Sequence, residues 1–393
     1  MKSRKTVFLF IILSASFFLS GCGVVSNFYN SVTGFVGLND TGKVIAFRAQ
    51  IRSSYAVVAA DILEVKRGDT LDILETYEVG ETQKTIWYRV RAHDEDQTEG
   101  WIEAQNVIVN DLIEKSQKLV EQFKDSPPQA SGQIKSATNL RLTPEMKDDN
   151  ILVRLDSGSK FDIMDWSFVP KSQEALDIDD ARKGEQKKSK SKTKNADIEA
   201  AKEENQPEEI DEKYDIWYQI RLDPSVSPAP AGWIFGRQVD LQVPGDIVFY
   251  QHNDRKFVTW QRLDSLDTTD KNATADTKAT KPGAWVILWR TNKIKAIDGV
   301  EPDFDGILVL GFDKYDQAHY TVYKTQNNFS VWGLLPLKVE GTGDNKVFTL
   351  KLRNNATGEL EDKRFVVVSD KNRMKVTPPA DIANYEKKDE PRK

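Results

Sequence analysis

The spacing of apolar and polar positions changes along the 393-residue chain. A short apolar run covers residues 7–18. Between about residues 50 and 241, short stretches alternate apolar and polar positions, which places successive side chains on opposite faces of a strand. Residues 110–126 have helical spacing instead, and from residue 247 to 368 the alternating stretches become longer. The pattern predicts a mainly β protein with one connecting helix.

The alternating pattern occurs twice, with one order of elements. Each copy has an apolar-Arg start, a strand after a Gly-marked turn, a strand that begins Trp-Tyr, and a Gly-Trp-Ile end. Such a repeat predicts two small antiparallel barrels in tandem. The first copy contains Gln50-Ile51-Arg52, Gly68 to Leu74, Trp87-Tyr88-Arg89-Val90-Arg91 and Gly100-Trp101-Ile102. The second contains Asn139-Leu140-Arg141, Gly158 to Met164, Trp217-Tyr218-Gln219-Ile220-Arg221 and Gly232-Trp233-Ile234.

These repeated motifs resemble those of the bacterial Src-homology-3 family, the SH3-like (SH3b) domains. The resemblance implies two tandem SH3-like small β-barrels joined by a helix. After them, eight predicted strands separated by turn signals indicate a C-terminal antiparallel β-sandwich or β-barrel of no recognised family. These predicted strands are residues 247–250, 257–263, 284–290, 306–312, 319–324, 331–339, 347–352 and 364–368.

A charged stretch interrupts the second copy. Residues 171–213 carry a basic run followed by an acidic run and have few apolar side chains, so we expect a disordered insertion. It is either an electrostatic tether to anionic lipid or wall polymer, or a self-neutralising solvated loop. The predicted organisation is a signal peptide (1–21), a tether (22–42), a first SH3-like domain (43–109), a helix (110–126), a second SH3-like domain (127–243), a C-terminal β-domain (244–378) and a disordered tail (379–393).

The first 22 residues carry an export signal. Lys2, Arg4 and Lys5 precede the apolar run, which is too short to span a bilayer, and the run ends at Leu19-Ser20-Gly21-Cys22. This sequence resembles the signal of bacterial lipoproteins. The resemblance implies cleavage before Cys22, acylation of its thiol and anchoring in a lipid bilayer. Because Gly23 replaces the Asp that retains lipoproteins at an inner membrane, we expect the outer membrane in a two-membrane source, and the outer leaflet of the plasma membrane otherwise.

Composition narrows the classes of partner and of chemistry. The formal net charge of −6 becomes −9 once the three cations of the signal are removed, so nucleic acid is an unsuitable partner. Cys22 is the only cysteine, which leaves no thiol for a disulfide or a nucleophile. His93, His252 and His319 lie in separate segments without a metal-binding motif. We therefore predict a non-enzymatic protein with no catalytic residues, metal site or cofactor.

Binding is the leading functional interpretation. Small barrels with aromatic side chains in a groove bind peptides or glycans by stacking. Core packing is the favoured interpretation for any single Trp, and we expect the Tyr residues, which alternate to the other face, to be the better groove candidates. The leading hypothesis is an envelope lipoprotein scaffold or tether that binds peptidoglycan or an envelope protein. The candidate binding residues are Trp87, Tyr88, Trp101, Trp166, Trp217, Tyr218 and Trp233.

Two alternatives remain. A small-ligand carrier or sensor would enclose an apolar molecule in the C-terminal β-domain, in a cavity lined by residues such as Trp285, Trp289 and Trp332. An accessory cell-wall hydrolase would need an active site that no motif of the sequence indicates.

Overall fold

The computed structural model confirms the mainly β fold. Contacts divide the chain into two compact units. One runs to Lys118 and adds Asn139–Arg154 and Asp223–Pro230, and the other is Leu119–Thr138, Leu155–Leu222 and Ala231–Lys393. The predicted signal, Cys22 and nearly all of the tether and insertion lie outside the described residues. The structure describes residues 40–80, 85–147, 150–171, 213–251, 255–264, 282–291, 293–342, 345–370 and 373–389.

The first barrel is a curled seven-stranded sheet with the order β3-β2-β6-β5-β4-β1-β7. Its core contains the fully buried side chains of Ile51, Ile73, Val90 and Ile102. These apolar residues come from different strands, so burying them holds the sheet in its curl. The strands are β1 (Asp40–Val44), β2 (Arg48–Arg52), β3 (Asp61–Lys66), β4 (Thr70–Val79), β5 (Thr85–Ala92), β6 (Glu99–Glu103) and β7 (Val107–Val109).

A β-bulge reverses the side-chain alternation within β4. Leu71 and Ile73 point into the core, and a strict period of two would send Glu75 and Tyr77 the same way. The pairing of β4 with β5 shifts by one residue between Ile73 and Glu75, and an extra residue of this kind re-aims the side chains that follow. Glu75 and Tyr77 are therefore exposed.

The predicted helix is present as α1 (Asn110–Gln122) and is the only α-helix in the described ranges. Asn110 donates from its side chain to Glu114, and Asp111 lies in the first turn, where the helix dipole favours an acid. Ile113 is buried, and the chain reaches Pro127 shortly after the helix ends. No helix among the described residues is long and apolar enough to span a membrane.

The second barrel repeats the strand order of the first, as β10-β9-β13-β12-β11-β8-β14. Its β11 and β12 are long and stay paired out to Pro170 and Tyr214, and the Lys171 amide donates to the Lys213 carbonyl (3.0 Å). The charged insertion thus leaves from the end of this ribbon. The strands are β8 (Ala130–Ile134), β9 (Thr138–Arg141), β10 (Ile151–Leu155), β11 (Lys160–Pro170), β12 (Tyr214–Arg221), β13 (Ala231–Phe235) and β14 (Val239–Leu241).

The C-terminal domain is a β-sandwich, one of the two architectures predicted for it. One sheet has the order β15-β16-β17-β18 and the other β20-β21-β22-β23. Both sheets contribute to one core, with Val286 and Val309 from the first and Phe348 and Phe365 from the second. The strands are β15 (Lys256–Arg262), β16 (Trp285–Arg290), β17 (Gly306–Asp313), β18 (Ala318–Lys324), β19 (Phe329–Val331), β20 (Gly333–Thr342), β21 (Asn345–Arg353), β22 (Leu360–Asp370), β23 (Arg373–Thr377) and β24 (Glu386–Lys388).

Two expectations for the ends of this domain are wrong. The strand predicted at residues 247–250 is a 3-10 turn, Val248–Tyr250. The predicted disordered tail is ordered as far as residue 389, because Tyr385 lies in the sandwich core with 1% of its surface exposed and β24 pairs with β19. Burial of the Tyr385 ring and the pairing of β24 together outweigh the polar composition on which the tail prediction rested.

Gln129 joins the second barrel to the sandwich within one compact unit. Its side chain is fully buried, accepts from the Leu337 amide (2.7 Å) and donates to the Leu337 carbonyl (3.2 Å). Its backbone donates to the Ile163 carbonyl (2.7 Å) and accepts from the Trp260 amide (3.3 Å). One residue thus satisfies backbone groups of both domains, which fixes their relative position.

Candidate functional site

Three aromatic side chains at the surface of the first barrel form a cluster, the aromatic platform, which consists of exposed Tyr55 and Tyr77 and partly exposed Trp101. The two tyrosine rings stack with centroids 4.5 Å apart, and the Trp101 ring meets them edge-on at 5.2 and 6.0 Å. Tyr55 is 36% exposed and Tyr77 42% exposed. The parts of these rings that stay exposed are suited to packing against a ligand.

Different elements bring the three rings together. Tyr77 lies on β4 beyond the bulge, and Trp101 lies on β6 in the Gly-Trp-Ile motif. Tyr55 lies in the loop of residues 53–60 between β2 and β3. That loop is held by Arg52, whose guanidinium donates to the carbonyls of Val57 and Ala59, both at 2.9 Å.

Charged residues flank the aromatic platform on the same face of the sheet. Arg89 lies opposite Trp101 and pairs with Glu99 at 3.0 Å, and Arg91 pairs with the same carboxylate at 2.7 Å. The hydrogen bond from Arg91 lowers the pKa of Glu99, so this acid stays ionised. A hydrogen bond with the Tyr77 side chain raises the pKa of Tyr55, so Tyr55 stays neutral at physiological pH. The surroundings of the rings are polar and close to charge balance.

The three candidate binding residues of the first copy lie in three different environments. Trp101 belongs to the aromatic platform. Trp87 lies opposite Tyr77 on the same face but is only 6% exposed, with the Arg52 guanidinium 6.0 Å from its ring centroid. Tyr88 points into the barrel core and is 4% exposed, and its burial raises its pKa to about 12. Of the two neighbours, Tyr88 is the core residue and Trp87 faces outward beneath Arg52.

The four candidates of the second copy form no comparable exposed cluster. Trp217 and Tyr218 are buried, and the Trp217 ring lies 5.4 Å from that of Phe235. Trp166 meets Tyr218 edge-on at 4.6 Å and packs against the sandwich core. Trp233 is partly exposed and lies opposite Gln219. Most of these rings therefore contribute to packing.

Neither Tyr55 nor Tyr77 stands in a motif of the sequence that predicted a binding residue. Aligning the copies on their apolar-Arg starts puts Pro144 at the position of Tyr55, and the strand pairing puts Ser167 at the position of Tyr77. Both tyrosines are thus aromatic in the first copy only. Two aromatic residues at unmatched positions of a repeat were a usable signal, but the bulge that exposes Tyr77 could not be read from the alternation.

The C-terminal domain has a polar cleft. Its sandwich core is filled by side chains that include Phe304, Phe348, Phe365 and Tyr385. A cleft of about 380 Å³ lies outside this core and is lined mainly by polar groups. In the described ranges, no three side chains of His, Cys, Asp or Glu are arranged to hold a metal ion. The lining residues of the cleft include Arg255, Lys293, Lys324, Asp305, Asp389 and Ser330.

Comparison with known proteins adds little. No protein-family model matches the chain, and no curated protein matches it. Among solved structures, NlpC1 from Trichomonas vaginalis is 11% identical, covering 90% of this chain and 95% of its own, with a TM-score of 0.15. NlpC2 from the same organism is 10% identical, covering 87% and 97%, with a TM-score of 0.15. Likenesses this weak carry no argument about function.

Proposed function

We propose that the chain is a non-enzymatic envelope lipoprotein, anchored through acylated Cys22, whose first barrel binds peptidoglycan or an envelope protein through the aromatic platform. The observation that carries the proposal is the mutual contact of Tyr55, Tyr77 and Trp101 at the surface of the first barrel. The strands of the second barrel that share a unit with the sandwich, joined to it by Gln129, then serve as a scaffold.

The chemistry of the aromatic platform supports a peptide or glycan ligand. Stacked phenol and indole faces bind sugar rings and peptide side chains, and the hydroxyl and indole N–H groups add hydrogen bonds at low entropic cost. Two carboxylates balance the charges of Arg89 and Arg91 beside Trp101, since Glu99 contacts both arginines and Glu75 lies 3.9 Å from Arg89. Recognition would therefore depend mainly on stacking and shape, and only weakly on salt.

Replacing two platform residues should abolish most of this binding. We expect the chain of residues 23–393, which keeps every described residue, to co-sediment with purified peptidoglycan sacculi. In a Tyr77→Ala/Trp101→Ala variant the affinity should fall at least about tenfold, since aromatic anchors commonly contribute 2 kcal/mol or more. The measurement is the bound fraction against sacculus concentration.

A matched control distinguishes binding by the aromatic platform from non-specific binding by exposed aromatic residues. Phe249 and Tyr315 are exposed aromatic residues of the C-terminal domain, and Phe249→Ala/Tyr315→Ala should bind like the wild type. Equal losses in both variants would contradict a role for the aromatic platform. If the wild type stays in the supernatant at low salt, peptidoglycan is excluded as the ligand.

Anchoring through Cys22 is tested separately. In cells given a labelled fatty acid, we expect label on the wild type and none on Cys22→Ser, because only Cys22 offers a thiol for acylation. Ser54→Ala, an exchange of similar size in the first barrel, should leave the label unchanged. Label on Cys22→Ser, or no label on the wild type, would contradict the proposed anchor.

A further inference from the structure

The loop of residues 53–60 beside the aromatic platform is uncharged and apolar at its tip. Its sequence is Ser-Ser-Tyr-Ala-Val-Val-Ala-Ala, in a chain of which 30% is charged. Val57 is 92% exposed and Val58 94% exposed. Adjacent aliphatic side chains held almost wholly in water are unfavourable unless something else covers them.

Hydrogen bonds within the loop satisfy much of its backbone. The Arg52 guanidinium donates to the carbonyls of Val57 and Ala59. The Ser53 amide donates to the Ala60 carbonyl at 2.9 Å. The Ser53 and Ser54 hydroxyls accept from the amides of Ala60 and Ala56 at 3.2 Å. A protein surface or water could satisfy these groups as well, but the interior of a bilayer could not, so internal pairing is the condition for entering lipid.

The residues at the base of the loop suit the boundary of a membrane. The aromatic platform lies there, and Tyr and Trp rings prefer the headgroup level, with their apolar bodies toward the chains and their polar atoms toward water. Asp61 closes the loop with an ion pair to Arg52 at 3.3 Å. Going from tip to base, the surface changes from aliphatic to aromatic to charged.

We propose that the loop of residues 53–60 inserts its Val57–Val58 tip into the surface of a lipid bilayer, with the aromatic platform at headgroup depth. Because hydrogen bonds from Arg52 hold the loop on the barrel, insertion would orient the first barrel on the membrane in addition to any acyl anchor. The inference does not depend on the proposed ligand of the aromatic platform, and its test uses protein without an acyl group.

An environment-sensitive probe at the tip tests the insertion. The chain of residues 23–393 has no cysteine, so Val58→Cys labels at one position with nitrobenzoxadiazole. With phosphatidylcholine vesicles, we expect its emission to shift to the blue and to be quenched by lipids brominated in the acyl chains. The same probe at Tyr315→Cys, an exposed position of the C-terminal domain, should not respond. No shift at position 58 with vesicles in excess, or equal shifts at both positions, overturns the proposal.

Graded variants give a second readout by vesicle flotation. Val57→Leu/Val58→Leu adds two buried CH₂ groups and should tighten vesicle binding roughly tenfold. Val57→Asp/Val58→Asp should weaken it at least about tenfold, while Phe249→Asp/Tyr315→Asp adds the same charge elsewhere and should bind like the wild type. If both tip variants bind vesicles as tightly as the wild type does, the proposal is overturned. Sacculus binding is measured without vesicles, so failure of one proposal does not imply failure of the other.

Discussion

Replacing Arg290 by Met should lower the free energy of unfolding of the unit that contains the sandwich by about 3–5 kcal/mol. Arg290 donates to the Glu301 carboxylate at 2.7 Å, and their side chains are only 7% and 12% exposed. Its guanidinium also donates to the Pro302 carbonyl and lies 5.0 Å from the Phe168 ring centroid. Met fills similar volume, so the cost is mainly that of a buried carboxylate and carbonyl left without their donor.

A double-mutant cycle identifies the cause of this loss. Adding Glu301→Gln to Arg290→Met removes the uncompensated charge. The double variant should therefore lose less unfolding free energy than the sum of the losses of the two single variants. Arg353→Met is the matched control, since Arg353 pairs at 3.4 Å with Asp298, whose side chain is 84% exposed, and such a pair contributes at most about 1 kcal/mol. Urea unfolding measures the free energy of unfolding of each variant. A loss for Arg290→Met no greater than that control, or strictly additive losses in the cycle, would contradict the argument.

Removing the charge of Asp303 should change how stability depends on pH. Asp303 accepts from the Leu335 amide at 2.8 Å. Its pKa is raised from 3.8 to about 7, mainly because burial removes water from the carboxylate. The charge of Asp165 adds to the increase, while the Leu335 amide and Arg290 act in the opposite sense. The folded protein therefore holds a proton that the unfolded chain releases near pH 4.

The sign follows from proton binding. Between pH 4 and about 7 the folded state binds more protons at this group than the unfolded state, so the contribution is full below pH 4 and is lost as the pH rises through 7. Asp303→Asn keeps an oxygen for the Leu335 amide and has no proton to lose. As the pH rises from 4.5 to 8, the free energy of unfolding of this variant should increase by on the order of 2–4 kcal/mol relative to that of the wild type.

Urea unfolding across this range measures the difference between the variant and the wild type. Asp298→Asn is the control, because its carboxylate is largely exposed, and its curve should run parallel to that of the wild type. Asp165 and Asp305 also have pKa values raised by desolvation, but they are present in every protein compared. Parallel curves for Asp303→Asn and the wild type would show that Asp303 is ionised in the folded state.

The sequence identified one of the three platform residues. Trp101 stood in a motif that recurs as Gly-Trp-Ile in the second copy, but the exposed position of Tyr77 depends on the bulge in β4. That bulge also explains why Glu75, two residues after a buried Ile73, faces solvent. Alternation gives the faces of a regular strand and cannot show where one extra residue exchanges them.

The sequence by itself determined the class of fold, the two repeated barrels, the connecting helix and most strands of the sandwich, because alternation, turn residues and repeats are local signals. Tertiary structure decided the rest. Tyr88 became core, Tyr385 ordered a polar tail, Gln129 joined two domains, and a loop brought Tyr55 onto Trp101. Each outcome depends on burial or contact between residues far apart in the chain. The free energies of such burial and contact exceed the local conformational preferences that a sequence pattern reports.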